Sequence, residues 1–327
     1  MTRSHARPWQ VLLFVLAVCG AGAAAAQGYP SRPIRVLVPL VAGSTADIMA
    51  RAVGDEFARD AGQSWIVDNK AGAGGTIATA ELAHATPDGY TIGFASQGTL
   101  VFNLSLYANP GYDPLRDFAP ILLLGGVSNV MVVAPSGKSA SVAEVIAAAR
   151  AKPGSLTFSS GGSGTSHHLS GVLFGQMTGT QLLHVPYKGA PQGILAVMSG
   201  EVDMGFFNTP TVINQVRSGK LRALAVTSLA RSPLLPEAPT VDASGVKGYE
   251  MNTWFGFVAP AGIPPEAGAR LYKGIARVLA MPAVREKLAA QGVDLAADTS
   301  PAAFSKLLRD DLAKWPAIIK AAGAKVD

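Results

Sequence analysis

Three short loops combine glycine with hydroxyl side chains, and each lies between a predicted strand and a predicted helix. They span residues 42–47, 159–166 and 96–99. Such a loop presents unpaired backbone N–H groups at the positive end of a helix dipole, an arrangement that binds anions, carboxylates included. The first two loops contain no Arg or Lys. We therefore expect anion binding by main-chain and hydroxyl groups, although turn and helix-cap chemistry explains any single loop equally well.

The motifs typical of nucleotide binding and covalent catalysis are incomplete. Gly137-Lys138-Ser139 resembles the end of a P-loop, but Val132 stands where its first glycine belongs. Gly72-Ala73-Gly74 follows a predicted strand, but Ile77 replaces the third glycine of a dinucleotide fingerprint. The residues around Ser163 lack the outer glycines of a nucleophile elbow. The sequence thus indicates no catalytic residues and no cofactor.

The histidines and paired acids give no metal site. His167 and His168 are adjacent, so on a helix they point about 100° apart and make poor ligands for one metal. We expect one of them on the helix surface and the other facing a cleft. Asp310 and Asp311 are expected to be solvated charges on an exposed helix face.

The elements that position these residues alternate between strand and helix, which predicts an α/β fold with parallel strands. A first block begins with a strand at 34–38; Ser44 or Thr45 can cap its first helix, which ends at Gly62. Ser141 and Ser300 are predicted to cap two later helices. A second block begins near residue 156 and ends near 227, and a helical tail follows. The apolar stretch 121–134 is either a strand pair or a segment crossing between domains.

Two alternating blocks and a tail favour two lobes. Lobe one is predicted to comprise 27–127 and 250–327, and lobe two 128–249, with chain crossings near 127–131 and 228–253. The tail would return to lobe one, because one sheet with so many crossovers would be unusually large. In such sheets ligands bind beyond the carboxyl ends of the strands, where the polar loops lie.

Length and composition narrow the class of protein. The 327 residues are 49% hydrophobic and 15% charged, which argues against a disordered chain. The net charge is +5, or +3 without the first 26 residues. The basic residues are scattered, so the sequence has no basic cluster of the kind that nucleic-acid-binding proteins use.

The N-terminus has the pattern of an export signal. Arg3 and Arg7 precede the apolar run 11–18, and Ala24-Ala25-Ala26 offers a cleavage site after Ala26. Cleavage there removes Cys19, the only cysteine, and leaves a mature chain in the periplasm without disulfides. An uncleaved membrane anchor and a lipid on Cys19 are the alternatives.

Several motifs, in order along the whole mature chain, carry a resemblance to a known family. The matching segments are Pro30-Ser31-Arg32-Pro33-Ile34-Arg35 to Val38-Pro39, Val67-Asp68-Asn69-Lys70-Ala71-Gly72-Ala73-Gly74-Gly75, Ala85-Thr86-Pro87-Asp88-Gly89-Tyr90, His184-Val185-Pro186-Tyr187-Lys188-Gly189, Gly219-Lys220-Leu221-Arg222-Ala223-Leu224-Ala225-Val226-Thr227 and Trp254-Phe255-Gly256. By these segments the chain resembles the receptors of tripartite tricarboxylate transporters, the Bug family.

The resemblance implies a two-lobed, type II-like periplasmic-binding-protein fold with the ligand cleft between the lobes. It implies a monomer that captures a small di-, tri- or aromatic carboxylate and feeds integral-membrane permease subunits. It also implies that binding relies largely on backbone N–H and hydroxyl groups of loops from both lobes. The implied ligand-binding residues are Gly43, Ser44, Thr45, Ala46, Asp47, Gln97, Ser159, Gly164, Thr165, Ser166, His168, Tyr187 and Asn208.

Some of these roles differ in kind, and two other functions stay open. Asp47 would act mainly by fixing the first loop. Tyr187 could equally be a core residue. The first alternative function is a receptor that presents its ligand to a membrane sensor kinase. The second is a periplasmic hydrolase that uses Ser163 or Ser166 with His168, although their spacing is too local for a catalytic triad.

Overall fold

The computed structural model describes residues 29–324 and Val326; the predicted signal peptide, 1–26, lies outside them. The strands are β1 (Ile34–Val38), β2 (Trp65–Asn69), β3 (Thr91–Ser96), β4 (Phe118–Val133), β5 (Thr157–Ser160), β6 (Leu183–Pro186), β7 (Met204–Asn208), β8 (Arg222–Val226), β9 (Asn252–Pro260) and β10 (Asp294–Leu295). The helices are α1 (Thr45–Ala61), α2 (Thr76–Ala83), α3 (Asn103–Leu106), α4 (Val142–Ala151), α5 (Ser166–Thr178), α6 (Ala190–Ser199), α7 (Thr209–Arg217), α8 (Pro265–Ala280), α9 (Pro282–Ala289) and α10 (Pro301–Ala321).

The strands form one mixed sheet in the order β2-β1-β3-β9-β4-β7-β5-β6, and β8 and β10 also pair with β4. The strand–helix units give the parallel pairs that the alternation predicted: β1 with β2 and β3, and β5 with β6 and β7. The centre of the sheet is different, because β9 runs antiparallel to β3 and β4, and β4 runs antiparallel to β7 and β8. The expectation of a parallel sheet therefore holds only for the two flanks.

Strand β4 connects the two halves of the sheet. Its residues 118–128 pair with β9 in the first half, and residues 129–133 pair with β7 and β8 in the second. The stretch 121–134 is thus a crossing segment within one 16-residue strand. The chain returns where β9 begins, at Asn252. The two halves correspond to the two lobes of the predicted fold.

The C-terminal helices pack against the first half of the sheet. On α8, Arg277 makes an ion pair with Asp60 of α1. On α10, the ring of Phe304 lies 5.2 Å from that of Trp254 on β9. Burial of these aromatic surfaces is a large favourable term in folding, which explains why the tail returns across the molecule.

Helix ends follow the capping residues of the sequence. Ser44, Ser141, Thr165 and Ser300 each accept a backbone N–H from the first turn of α1, α4, α5 and α10, respectively. The caps predicted at Ser44, Ser141 and Ser300 are confirmed. Helix α1 ends at Gly62 in the left-handed conformation, also as expected. These caps place the N-termini of α1 and α5 beside the two principal polar loops.

Only one of the two adjacent acids of helix α10 is solvated, whereas both were expected to be. Asp310 is exposed and pairs with Lys306, but Asp311 is only 8% exposed. The prediction for Asp311 was wrong, because this face of α10 packs on the strand ends of the first half. Among residues 29–324, no helix has both the length and the apolar character needed to cross a bilayer.

Candidate ligand-binding cleft

The loop before α1 is held by contacts within its own sequence. The Ser44 Oγ accepts the Asp47 N–H (3.3 Å), and the Asp47 Oδ2 accepts the Gly43 N–H (2.9 Å). Asp47 is buried, and its Oδ1 accepts a hydrogen bond from Arg51 Nε at 2.8 Å. The carboxylate thus closes the loop onto the first turn of α1, which fits the loop-fixing role expected for Asp47.

The first turn of α1 offers donors that the protein does not use itself. Thr45 is 2% exposed, and its Oγ1 has no hydrogen-bond partner within the described chain. The N–H groups of Thr45 and Ala46 lie in the first turn of the helix, where no earlier helical carbonyl is available to accept them. A buried hydroxyl without a partner costs free energy, so a ligand oxygen at this point would be stabilising.

The loop before α5 has a tighter backbone. Gly162 and Gly164 have φ of +121° and +85°, which side chains other than glycine rarely adopt. The Thr165 Oγ1 donates to Gly162 O at 2.7 Å and accepts the His168 N–H at 3.4 Å. The Ser166 Oγ accepts from Asn208 Nδ2 at 3.3 Å, so the Ser166 hydroxyl proton remains available to a ligand.

Both adjacent histidines of α5 support this loop from below. His167 Nδ1 accepts the Gly161 N–H, and His168 Nδ1 accepts the Gly164 N–H, each at 3.3 Å. The rings are 6% and 3% exposed, so the expected surface histidine was wrong. Burial lowers the pKa of His167 to about 4. Burial, with a smaller contribution from the stacked His184, lowers the pKa of His168 to about 3. Both rings therefore stay neutral and serve as acceptors.

The third loop, after β3, does not open into a simple helix N-terminus. It continues directly as a π-helical turn, Gly98–Phe102, which the sequence did not predict. Ser96 and Thr99 bond to each other's backbone N–H groups. The Gln97 Nε2 donates to Asp311 Oδ2 at 2.7 Å, and this carboxylate also accepts from the indole nitrogens of Trp254 and Trp315. Gln97 is thereby fixed to the C-terminal helix.

Loops of the two halves touch across the cleft. A Cβ added to Gly98 would lie 3.2 Å from Gly164 O, and one on Gly74 would lie 2.7 Å from Ser163 O. The Tyr107 hydroxyl also donates to Ser163 O, at 3.5 Å. The two halves are therefore in contact here, with glycines where the two backbones come closest.

Asn103 is a residue of this contact that the sequence analysis missed. Its Nδ2 donates to Gly74 O at 2.9 Å, and its Oδ1 is buried without a partner in the described chain. Its only signal in the sequence is the Gly-rich turn 72–75 that it contacts.

Other predicted site residues lie away from the contact between the loops. The Tyr187 hydroxyl donates to Glu201 at 2.8 Å on the surface. Ser159 is wholly buried, and its Oγ donates to Gly193 O at 2.9 Å beneath the loop. Asn208 lies at the end of β7, and its Nδ2 donates to Ser166 Oγ. Of the other predicted residues, Gly43, Ser44, Thr45, Ala46 and Asp47 lie in the first loop and the first turn of α1, Gln97 lies in the third loop, and Gly164, Thr165, Ser166 and His168 lie in the second loop and the first turn of α5.

The chemistry of the cleft is that of neutral donors. Neither principal loop contains Arg or Lys. No cluster of three His, Cys, Asp or Glu side chains that could hold a metal ion occurs in the part of the chain that the structure describes. Two capped helix N-termini with adjacent hydroxyls can bind a small anion through hydrogen bonds alone.

Residues 49–324 match the family model of the tripartite tricarboxylate transporter family receptor. BugT of Bordetella pertussis (strain Tohama I) is 34% identical over 315 residues, 96% of this chain and 96% of BugT.

Three solved structures have a similar fold. The periplasmic binding protein BugD is 34% identical, with a TM-score of 0.87 over 91% of this chain and 100% of its own. The R. palustris protein Rpa4515, solved with adipate, is 33% identical, with a TM-score of 0.88 over 91% of this chain and 100% of its own. MatC from Rhodopseudomonas palustris, solved with bound malate, is 27% identical, with a TM-score of 0.85 over 89% of this chain and 100% of its own.

These matches agree with the polar loops, the crossing strand and the sequence motifs of the chain. Family and neighbours are solute receptors with the two-lobed α/β fold. The chain belongs to the tripartite tricarboxylate transporter receptor family, also known as the Bug family.

Proposed function

We propose that this protein is a periplasmic solute-binding protein that captures a small carboxylate and delivers it to a tripartite tricarboxylate-type membrane importer. One observation carries the proposal: the N-termini of α1 and α5 are both capped and carry hydroxyl donors, and the loops that precede them contain no Arg or Lys. The unpartnered Thr45 Oγ1 in the first turn of α1 supports a ligand oxygen at that point.

A dicarboxylate is the ligand class with the most support. Rpa4515 and MatC were solved with adipate and malate, both of which are dicarboxylates. The N–H groups of Thr45 and Ala46 would meet one carboxylate, and the N–H and hydroxyl of Ser166 would meet the other. Tri- and aromatic carboxylates remain within the proposal, because one helix N-terminus suffices for one carboxylate group.

Delivery requires export and a moving hinge. Residues 1–26 would be removed after Ala26, which places a monomeric mature chain in the periplasm and a permease as its partner. Lobe one would comprise 27–127 and 250–327, and lobe two 128–249. Ligand would close the lobes about the crossings near 127–131 and 228–253, because it bonds to both loops only in the closed state.

The geometry supports binding and does not favour the hydrolase alternative. His168, the base of that mechanism, uses its Nδ1 to accept the Gly164 N–H. The Ser166 Oγ accepts a hydrogen bond from Asn208. A nucleophile needs a base within hydrogen-bond reach that can take its proton, and the hydrogen bonds of Ser166 and His168 direct these groups elsewhere.

Calorimetric titration with adipate, malate, citrate and benzoate tests the proposal. We expect wild type to bind at least one of them. Thr45→Ala or Ser166→Ala should weaken that binding by roughly 10- to 150-fold, the effect of losing one hydrogen bond of about 1.5–3 kcal/mol to a charged acceptor. Thr180→Ala, beyond the far end of α5, is the matched control and should bind like wild type. Salt should have a modest effect, because a closed site is poorly screened.

Two results would contradict the proposal. The first is a wild-type protein that binds none of the four carboxylates. The second is unchanged affinity in both hydroxyl variants, which would show that the ligand is not held by these helix N-termini.

A further inference from the structure

A buried polar network lies where the chain crosses between the halves of the sheet. It consists of Asn129, Thr227, Asn208 and His167, each no more than 6% exposed, and we call it the hinge network. Asn129 is the first residue of β4 that pairs with the second half of the sheet, and Thr227 directly follows β8. The hinge network is thus placed at the point about which the lobes would move.

Thr227 joins the outgoing and the returning crossing. The Asn129 N–H donates to Thr227 Oγ1 at 2.7 Å, and the Thr227 N–H donates to Asn129 O at 2.9 Å. The Thr227 hydroxyl donates to Met251 O at 2.6 Å, and the Met251 N–H donates back to Thr227 O at 3.0 Å. Met251 is the last residue before β9, so this one threonine side chain is bonded to both interlobe segments.

Asn129 extends the network to the helix that begins at the ligand loop. Its Nδ2 donates to Ser170 Oγ at 2.7 Å and to Ser166 O at 3.3 Å. Its Oδ1 accepts from Asn208 Nδ2. Ser166 is the first residue of α5, so the hinge strand is bonded directly to the helix N-terminus proposed to hold the carboxylate.

Asn208 and His167 complete the connection. His167 Nδ1 accepts the Gly161 N–H, and its Nε2 lies 3.1 Å from Asn208 Oδ1 and 3.3 Å from the Asn208 backbone nitrogen. Hydrogen bonds therefore join Met251 to the Thr227 side chain, the Thr227 side chain to the Asn129 backbone, and the Asn129 side chain through Asn208 and His167 to the glycine loop.

Burying the polar groups of the hinge network costs desolvation free energy. Apolar side chains of similar volume would pack there without any polar group to desolvate. A buried network whose members are all hydrogen-bonded instead specifies one geometry. All four side chains have partners. We propose that Asn129 and Thr227 are positioning residues that set the conformation of the 160–166 loop from the hinge.

Hydrogen exchange in the unliganded protein tests this inference without any ligand. Thr227→Val removes the hydroxyl and keeps the side-chain shape, and Thr227→Ser restores the hydroxyl. We expect Thr227→Val and Asn129→Ala to speed amide exchange across 160–168 by about 5- to 10-fold, the equivalent of one net hydrogen bond, and Thr227→Ser to exchange like wild type.

Thr178→Val is the control for a general loss of stability. Thr178 is buried, and its hydroxyl donates to Phe174 O at 2.7 Å, at the opposite end of α5. We expect this variant to leave exchange across 160–168 unchanged. If Asn129→Ala does not fold, the Thr227 pair decides. Wild-type exchange in Thr227→Val, or an equal acceleration in Thr178→Val, would overturn the inference.

The affinity part of the inference rests on the proposed function. With adipate as the probe, Thr227→Val and Asn129→Ala should weaken binding about 5-fold, and Thr227→Ser and Thr178→Val should not. If the wild type binds no carboxylate, the proposed function fails, while the exchange experiment still decides whether the hinge network positions the loop.

Discussion

The two principal polar loops are held in different ways. The loop before α1 depends on Ser44, Asp47 and Arg51, and the hydrogen bonds among Gly43 and these residues span three or four residues of sequence. The loop before α5 depends on distant partners: Ser160 bonds to a side chain 24 residues away, and His167 to one 41 residues away. The first loop can form with its own helix, whereas the second takes its shape only when β4, β6 and β7 are assembled.

The two loops should therefore respond differently to the loss of a supporting side chain. Damage to the first loop should be local and moderate, because its hydrogen bonds all lie within one helix turn. Damage to the second loop should reach the whole second half of the sheet, because its supports are buried and shared. Three experiments distinguish the two loops. The first lowers the pH, the second blocks closure of the two halves, and the third removes side chains of the first loop.

Acidification should act through the second loop and have the largest effect. Burial holds the folded-state pKa of His167 at about 4 and that of His168 at about 3, below the ordinary value near 6.5. The unfolded chain takes up these protons as the pH falls below 6.5, and the folded chain does not until the lower values. Their contribution to stability is therefore complete above pH 6.5 and falls by about 1.4 kcal/mol per pH unit for each histidine below it.

Urea unfolding at pH 7.5, 6.5 and 5.5 measures this slope. His168→Gln should lower this slope by about 1.4 kcal/mol per pH unit, because the variant has no ring to protonate at this position. Thr178→Val, which removes a buried hydroxyl at the other end of α5, should keep the wild-type slope. Equal slopes in all three proteins would show that the buried histidines do not set the acid sensitivity.

Gly164→Ala should combine backbone strain with a block to closure. The residue has φ +85°, and an added Cβ would lie 2.3 Å from Asn103 Oδ1 in the other half of the molecule. Gly179→Ala is the matched control, because Gly179 has φ +63° and open space around it. Both should lose about 1–2 kcal/mol of stability.

Only Gly164→Ala should also weaken ligand binding. Its scattering radius with saturating ligand should stay close to that of the unliganded protein, whereas the Gly179→Ala radius should shrink on binding. A Gly164→Ala protein that closes and binds like its control would mean that Asn103 does not face Gly164 in the bound state.

The smallest effects belong to the first loop. Asp47→Ala should cost about 0.5–1.5 kcal/mol, the net contribution of one hydrogen bond, because it leaves the exposed Gly43 N–H without its carboxylate acceptor. Arg51→Ala should cost less than about 1 kcal/mol and leave affinity nearly unchanged, because the Arg51 side chain is 49% exposed and its ion pair is screened. Thermal unfolding and titration measure both. Loss of binding in Arg51→Ala alone would indicate an arginine clamp instead of a main-chain anion site.

The elements were predictable where the signal is local. The caps at Ser44, Ser141 and Ser300 and the helix end at Gly62 follow from the conformation of one or two residues, and the structure confirms them. The antiparallel pairing of β9 at the centre of the sheet was not predictable, because strand pairing depends on residues far apart in the sequence. Asp311 was placed wrongly for the same reason.

Residue types at short spacing were enough to identify the family, the capped helix N-termini and the lack of basic residues in both principal loops. The groups that support those loops could be identified only from the folded chain. Folding buries both histidines as neutral acceptors, turns Tyr187 outward to Glu201, and brings Asn103 against Gly164. A side chain's partners across a sheet are set by strand order and register, and a local pattern of residue types contains neither.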